Sequence, residues 1–208
     1  LNFAAYNAST YQADITAGIA NWDVVIPPYG SGPSNDFVIA VNGAKPVLVW
    51  GGAAEASFNH DGAVGDKVFG TFTPASRYFE SGLTAVFAAG ATTVAFVQND
   101  SPFSAACCLG AQIKATALGM TSGGFFTYQR TDDDATIAAK AGEVATTNAD
   151  VVVNCGHEED TVKMVKAFND LDTSFCPKAM LATNSLLNVA DNYQDTYADL
   201  PRGIMMPT

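Results

Sequence analysis

The chain holds little of what catalysis and metal binding draw on. Only two histidines, His60 and His157, occur in 208 residues. No C-x-x-C pair or metal-spaced Cys/His set accompanies them, so neither a metal nor another cofactor is expected. The glycine-rich loop from Tyr29 to Ser34 lacks the Lys-Ser/Thr ending of a phosphate-binding P-loop. Ser31 stands in no G-x-S-x-G elbow. Basic residues are scarce: 10 Lys and Arg against 21 Asp and Glu leave a net charge of −11. That charge repels phosphate backbones and anionic membrane surfaces, which argues against nucleic acid as a partner. No apolar run is long enough to span a bilayer. The chain opens at Leu1 with neither an initiator methionine nor a signal peptide, as expected of a mature protein or an excised piece.

Four cysteines are present, at 107, 108, 155 and 176. Adjacent Cys107 and Cys108 are poor partners for each other, and buried thiols are the expectation. Asn7-Ala-Ser9 and Asn99-Asp-Ser101 fit the glycosylation acceptor pattern, a short pattern that also arises by chance.

What the chain does have is a 48% hydrophobic content, enough to bury a sizeable core. Strand-like and helix-like segments alternate along it. Short apolar runs at 23–26, 47–50, 93–97, 124–128, 151–154 and 179–182 read as strands. Ser34 to Asn42, Ser76 to Ala88, Phe103 to Leu118, Asp132 to Thr146 and Glu158 to Leu171 read as helices. Gly43, Gly90 and Gly119 supply stops for the first three. Near-continuous apolar strands between amphipathic helices imply parallel sheets covered on both faces. Ligands of such sheets bind beyond the carboxyl ends of the strands, which makes strand-end residues the site candidates.

The stretch from Pro46 to Phe58 is the most informative of these ends. An apolar strand stops at Trp50 and opens into Gly51, Gly52 and small residues. Glycine lets backbone N–H groups approach a ligand closely, and exposed N–H groups suit a carboxylate or another polar head group. Trp50 at the same turn can cover an apolar part of the ligand. Tyr29 and Ser31 hold the equivalent place at the preceding strand end. Arg77 and Tyr78 open the helix after a polar, glycine-rich stretch at 59–66, and Arg77 can serve either as an anion clamp or as a surface charge. The acids after His157 and the run Asp132 to Asp134 read as negative first turns of helices.

Four stretches carry a resemblance: Asp23 to Ser31, Val47 to Ala54, Val68 to Ser76 and Val94 to Ser104. The segment Ala149 to His157 adds to them. In order and spacing they resemble the type I periplasmic solute-binding proteins, and more closely the branched-chain amino-acid (Leu/Ile/Val) receptor-like substrate-binding proteins of ABC transporters. The resemblance implies an α/β architecture of two Rossmann-like lobes with parallel sheets and ligand bound between them. Residues 1–66 would form a partial N-terminal lobe, 67–202 the C-terminal lobe and 203–208 a second crossover segment. Leu1 to Tyr6 would be the second strand of a first lobe that lacks its first strand and helix. The chain would then be the middle of a longer receptor, with open strand edges that invite a homodimer.

Residue by residue, the likeness places Ser31 on a ligand carboxylate and Gly52 and Ala54 at the next strand end. It places Phe103 and His157 as aromatic-type contacts from the second lobe. Thr183 falls where amino-acid receptors use a carboxylate against the ligand ammonium, which argues against an α-amino acid unless Glu158 or Glu55 substitutes. The expected function is a non-enzymatic periplasmic or extracellular domain. It would capture a small polar metabolite, an amino acid or related carboxylate, for an ABC-transporter permease or a transmembrane signalling protein. The rivals are a hydrolase-like or racemase enzyme, for which Cys155 and His157 are a conceivable pair, and a ligandless sensor or interaction domain.

Overall fold

A computed structural model describes Asn7, residues 9–171 and 175–183, and the backbone of Ile204–Met205. The chain divides into two compact units, Leu1–Ala75 and Ser76–Thr208.

In the first unit, helix α1 (Tyr11–Gly18) precedes helix α2 (Ser31–Val41). Strand β1 (Val47–Val49), the single helical turn α3 (Gly62–Gly65) and strand β2 (Val68–Gly70) follow. Asn42, in the left-handed region at φ 46°, ends α2. β1 and β2 pair in parallel, so the extended run at 67–72 belongs with this unit, which ends at Ala75 rather than at residue 66. The strand expected at 23–26 contributes only one bridge, Val25 to Val47. Its prolines, Pro27 and Pro28, cannot donate to a ladder. The helices cover one sheet face: Ile15 of α1 and Val38 and Val41 of α2 pack on Val25, Val47 and Val49. Alternation along the strands sends Val24, Ile26, Leu48 and Phe69 outward, and all four are exposed. The second strand expected at Leu1 to Tyr6 lies outside the described residues.

The second unit is a doubly covered parallel sheet. Helix α4 (Glu80–Ala88) leads into β3 (Thr93–Asn99), α5 (Pro102–Leu118) and β4 (Thr121–Tyr128). Helix α6 (Asp134–Ala145), β5 (Val151–Asn154), α7 (Glu158–Asn169), β6 (Ala179–Ala182) and β7 (Ile204–Met205) complete it. The strand order is β4-β3-β5-β6-β7, parallel throughout. Ile204–Met205, read from sequence as part of a crossover segment, thus extends this sheet. All four residues of β5 are buried, as central strands of such sheets require. Ile137, Ala141, Val144 and Met164 of α6 and α7 pack on Ala95, Val97 and Val152. The alternate residues face α4 and α5, and Leu181 sits 3.3 Å from where a Cβ on Gly82 would stand.

Local chemistry sets the helix starts. Ser101 caps α5 by accepting from the Ser104 N–H at 3.2 Å, with Pro102 next in the first turn. Asp133 caps α6 through the Thr136 N–H at 2.9 Å, and Asp132 accepts from the Gln129 N–H at 2.7 Å. The Asp132 to Asp134 run is therefore a helix start.

One covalent tie was not expected. Cys108 of α5 and Cys155, just past β5, form a disulfide with Cα atoms 5.7 Å apart. This corrects the reading of these two as buried thiols. The pairing arises because α5 packs back along β3, whose neighbour is β5. A sequence separation of 47 gives no hint of it.

Candidate functional site

In the first unit the expected residues meet, and they meet each other. The Ser31 hydroxyl, in the first turn of α2, accepts from the N–H groups of Ala53 (3.1 Å) and Ala54 (3.0 Å). Ser57 donates its hydroxyl to the Ser31 carbonyl at 3.0 Å, and Gly30 donates to the Gly51 carbonyl at 3.0 Å. Gly52 is packed so closely that a Cβ would lie 2.8 Å from Ser34 and 2.9 Å from the Ser57 oxygen. The glycines thus serve a close approach of protein to protein. Ser31 keeps its own hydroxyl proton to donate. Beside this knot lies an exposed aromatic pair: the Tyr29 and Trp50 rings are 5.8 Å apart. The Trp50 indole N–H is fixed on the Pro27 carbonyl at 2.8 Å.

In the second unit three expected residues form one row. Phe103, in the first turn of α5, stacks on His157, the N-cap residue of α7, with centroids 5.0 Å apart and planes 24° apart. Tyr78 meets Phe103 edge-on at 5.6 Å. All three are half-buried. The row sits where β3 and β5 end, at the carboxyl edge of the sheet. The Ser101 hydroxyl lies 3.5 Å from His157 Nε2.

Under the row is a polar floor. Asn99, at the end of β3, donates to the buried Asp160 of α7 at 2.7 Å and accepts from the Ser101 N–H at 2.9 Å. Asn99 is fully buried, so the second glycosylation pattern is closed to modification in the fold. Gly156 lets this floor close up, since a Cβ there would lie 2.6 Å from the Tyr128 hydroxyl and 3.0 Å from the Asp160 Cβ. Burial, reinforced by the Asp160 charge, pushes the Tyr128 phenol far up, so it is neutral. Burial also holds His157 below 6.5; the Arg130 charge adds to that and Asp160 opposes it.

Two expected residues are committed elsewhere. Arg77 forms an exposed pair with Glu80 at 3.3 Å. The Thr183 hydroxyl donates to the Gly156 carbonyl, bracing the turn that carries His157. Arg130 and Asp160 were not singled out from sequence as contacts. Asp160 hid within an acidic helix start, and Arg130 follows a strand with no motif around it.

No family model matches the chain, and neither does any curated protein. Solved structures do. A solute-binding protein of an R. palustris ABC transporter, in complex with 4-hydroxybenzoate, superposes at TM-score 0.72 and 15% identity over 90% of this chain and 52% of its own. A solute-binding protein from Rhodopseudomonas palustris HaA2, in complex with p-hydroxybenzoic acid, gives 0.69 at 15% identity, covering 84% of this chain and 46% of its own. A branched-chain amino-acid ABC-transporter periplasmic ligand-binding protein from Burkholderia xenovorans LB400 gives 0.66 at 13%, covering 89% and 50%. The fold is that of the type I periplasmic solute-binding proteins. The chain spans about half the length of these structures.

On this periplasmic-binding-protein fold the strand-end row of Tyr78, Phe103 and His157 lies where an open parallel sheet takes its ligand. Cys155 is held in the disulfide and cannot act as a thiolate toward His157. Among the described residues no helix is long and apolar enough to cross a membrane.

Proposed function

We propose that this chain is the ligand-binding part of a periplasmic or extracellular solute receptor, non-enzymatic, that hands a small carboxylate metabolite to an ABC-transporter permease or a transmembrane signalling protein. The observation that carries this reading is the Tyr78–Phe103–His157 row at the carboxyl edge of a parallel sheet. Aromatic faces of this kind suit a flat ring: an offset-stacked or edge-on pair contributes about 0.5–1.5 kcal/mol beyond the area it buries. A ring-bearing acid therefore fits the row better than an aliphatic α-amino acid does. Thr183 supports the same preference, since it brings no carboxylate for a ligand ammonium and its hydroxyl is already used. The solved structures bound to 4-hydroxybenzoate make that compound the first to try. Taken by itself, the first unit offers Tyr29, Trp50 and the remaining proton of Ser31 as proposed contact groups.

A thermal-shift screen of the 208-residue chain against aromatic acids, amino acids, amides and sugars tests the proposal. A binder at about 100 times its Kd stabilises by ~2.7 kcal/mol. Aromatic acids should raise the melting temperature and emerge chemically unchanged. Turnover, or no response to any class, contradicts the reading.

The bare sheet face of the first unit supports a second reading, self-association. Val24, Ile26, Leu48 and Phe69 are an exposed apolar set of the kind that marks interaction surfaces. Sedimentation velocity should show a concentration-dependent dimer that Phe69→Glu abolishes; a monomer at all concentrations contradicts it.

A further inference from the structure

We infer that Arg130 is the charge-selecting residue of this site: it holds the carboxylate of an aryl acid whose ring lies against Phe103 and His157. The inference rests on the receptor reading above and assigns the anionic end of the ligand to one side chain.

β4 ends at Tyr128, and two residues later the Arg130 backbone N–H donates to Asp100 Oδ1 at 3.2 Å. Asp100 directly precedes Ser101, whose hydroxyl lies 3.5 Å from the His157 ring and caps the helix that carries Phe103. The Arg130 backbone is thereby tied to the rim of the aromatic row. Its side chain is exposed and able to swing.

Among the described residues, Arg77, Lys140, Lys166 and Lys178 of this unit are each spent on a neighbouring carboxylate. Lys114 and Lys163 lie along α5 and α7, beyond the first turns that carry Phe103 and His157. Arg130 has no such ion pair. The nearby acids are engaged with backbone instead: Asp100 with the Arg130 N–H, Asp132 with Gln129 and Asp133 with Thr136. The guanidinium is close enough for its charge to be felt at both His157 and Tyr128.

A chain of net charge −11 repels an anion unless a local cation receives it. A guanidinium presents two parallel N–H donors that match a carboxylate, a geometry lysine cannot reproduce. With His157 neutral, Arg130 is the cation at this rim.

The test is calorimetric binding of 4-hydroxybenzoate and its neutral counterpart 4-hydroxybenzamide to the full chain, native and Arg130→Gln. The native chain should prefer the acid by roughly tenfold or more, about 1.4 kcal/mol. Arg130→Gln should lose that preference while its amide affinity stays unchanged, and Arg130→Lys should recover part of it. Equal acid affinity in native and Arg130→Gln chains overturns the inference and leaves the receptor reading standing. Failure of the native chain to bind either compound overturns the inference; failure across the whole thermal-shift panel overturns the receptor reading as well. The exposed Arg130 side chain has no packing role, and matching melting curves of the unliganded variants confirm that the fold is kept.

Discussion

Phe103 and His157 come from different helices, yet their rings stack at 5.0 Å because both helices start at the ends of neighbouring strands. Ser101 fixes the start of one helix, and the Thr183–Gly156 hydrogen bond braces the turn before the other. The row is thus a product of backbone chemistry at two strand ends.

Phe103→Ala removes the middle of the row. Its affinity for 4-hydroxybenzoate should fall by roughly two- to tenfold, from the loss of about 0.5–1.5 kcal/mol of ring pairing plus some buried area. Because Phe103 is half-buried, the melting temperature should change little. Isothermal titration checks this, and undiminished affinity contradicts it.

His157 should titrate below 6.5, because burial and Arg130 both disfavour its charged form. As pH falls beneath 6.5 the unfolded chain binds this proton before the folded one does. This contribution to stability is therefore complete above 6.5 and is lost as pH falls through the folded-state midpoint. An NMR titration of the imidazole should give that lowered midpoint. Arg130→Gln should move it back up, and a midpoint at or above 6.5 in the native chain contradicts the account.

Much of this was legible beforehand, and for identifiable reasons. Val151 to Asn154 is short, apolar and bounded by a turn and an acidic helix start, so its place as a buried strand could be read directly. Gly119 marked the end of α5, where it sits at φ 81°. Phe103 and His157 entered through the family resemblance, and the structure stacks their rings on one another. The misses have physical causes too. Helix α1 buries only Ile15, so its pattern is faint. Val24 to Ile26 looked like a strand because it is apolar, but Pro27 and Pro28 follow it and only Val25 bridges to Val47. The hydrogen bonds from Ala53 and Ala54 to Ser31 could not be read from sequence, because they depend on α2 meeting the loop after β1. Arg130 gave no signal in the sequence, because its backbone is tied to Asp100, thirty residues away in sequence and adjacent in space.

The disulfide should be recoverable as a Cys108–Cys155 linked peptide by mass spectrometry, and alkylation before reduction should spare both residues. Replacing both by serine should cost about 2–4 kcal/mol in urea unfolding. Alkylation of both in the unreduced, denatured protein contradicts the pairing.

Ser31→Ala leaves the buried N–H groups of Ala53 and Ala54 without an acceptor, a cost of about 1–3 kcal/mol for such groups. Gly52→Ala drives a methyl against Ser34 and Ser57 and should cost about as much, by overpacking. Both should lower the urea midpoint; an unchanged midpoint for either contradicts the packing described for the first unit.

The central claim is that the carboxyl edge of the second sheet grips a ring-bearing acid. Titrating 4-hydroxybenzoate into protein labelled at its Phe and His rings tests it most directly. The account predicts saturable shifts of the Phe103 and His157 resonances. Saturable binding that leaves both unmoved, or no binding at all, would contradict it.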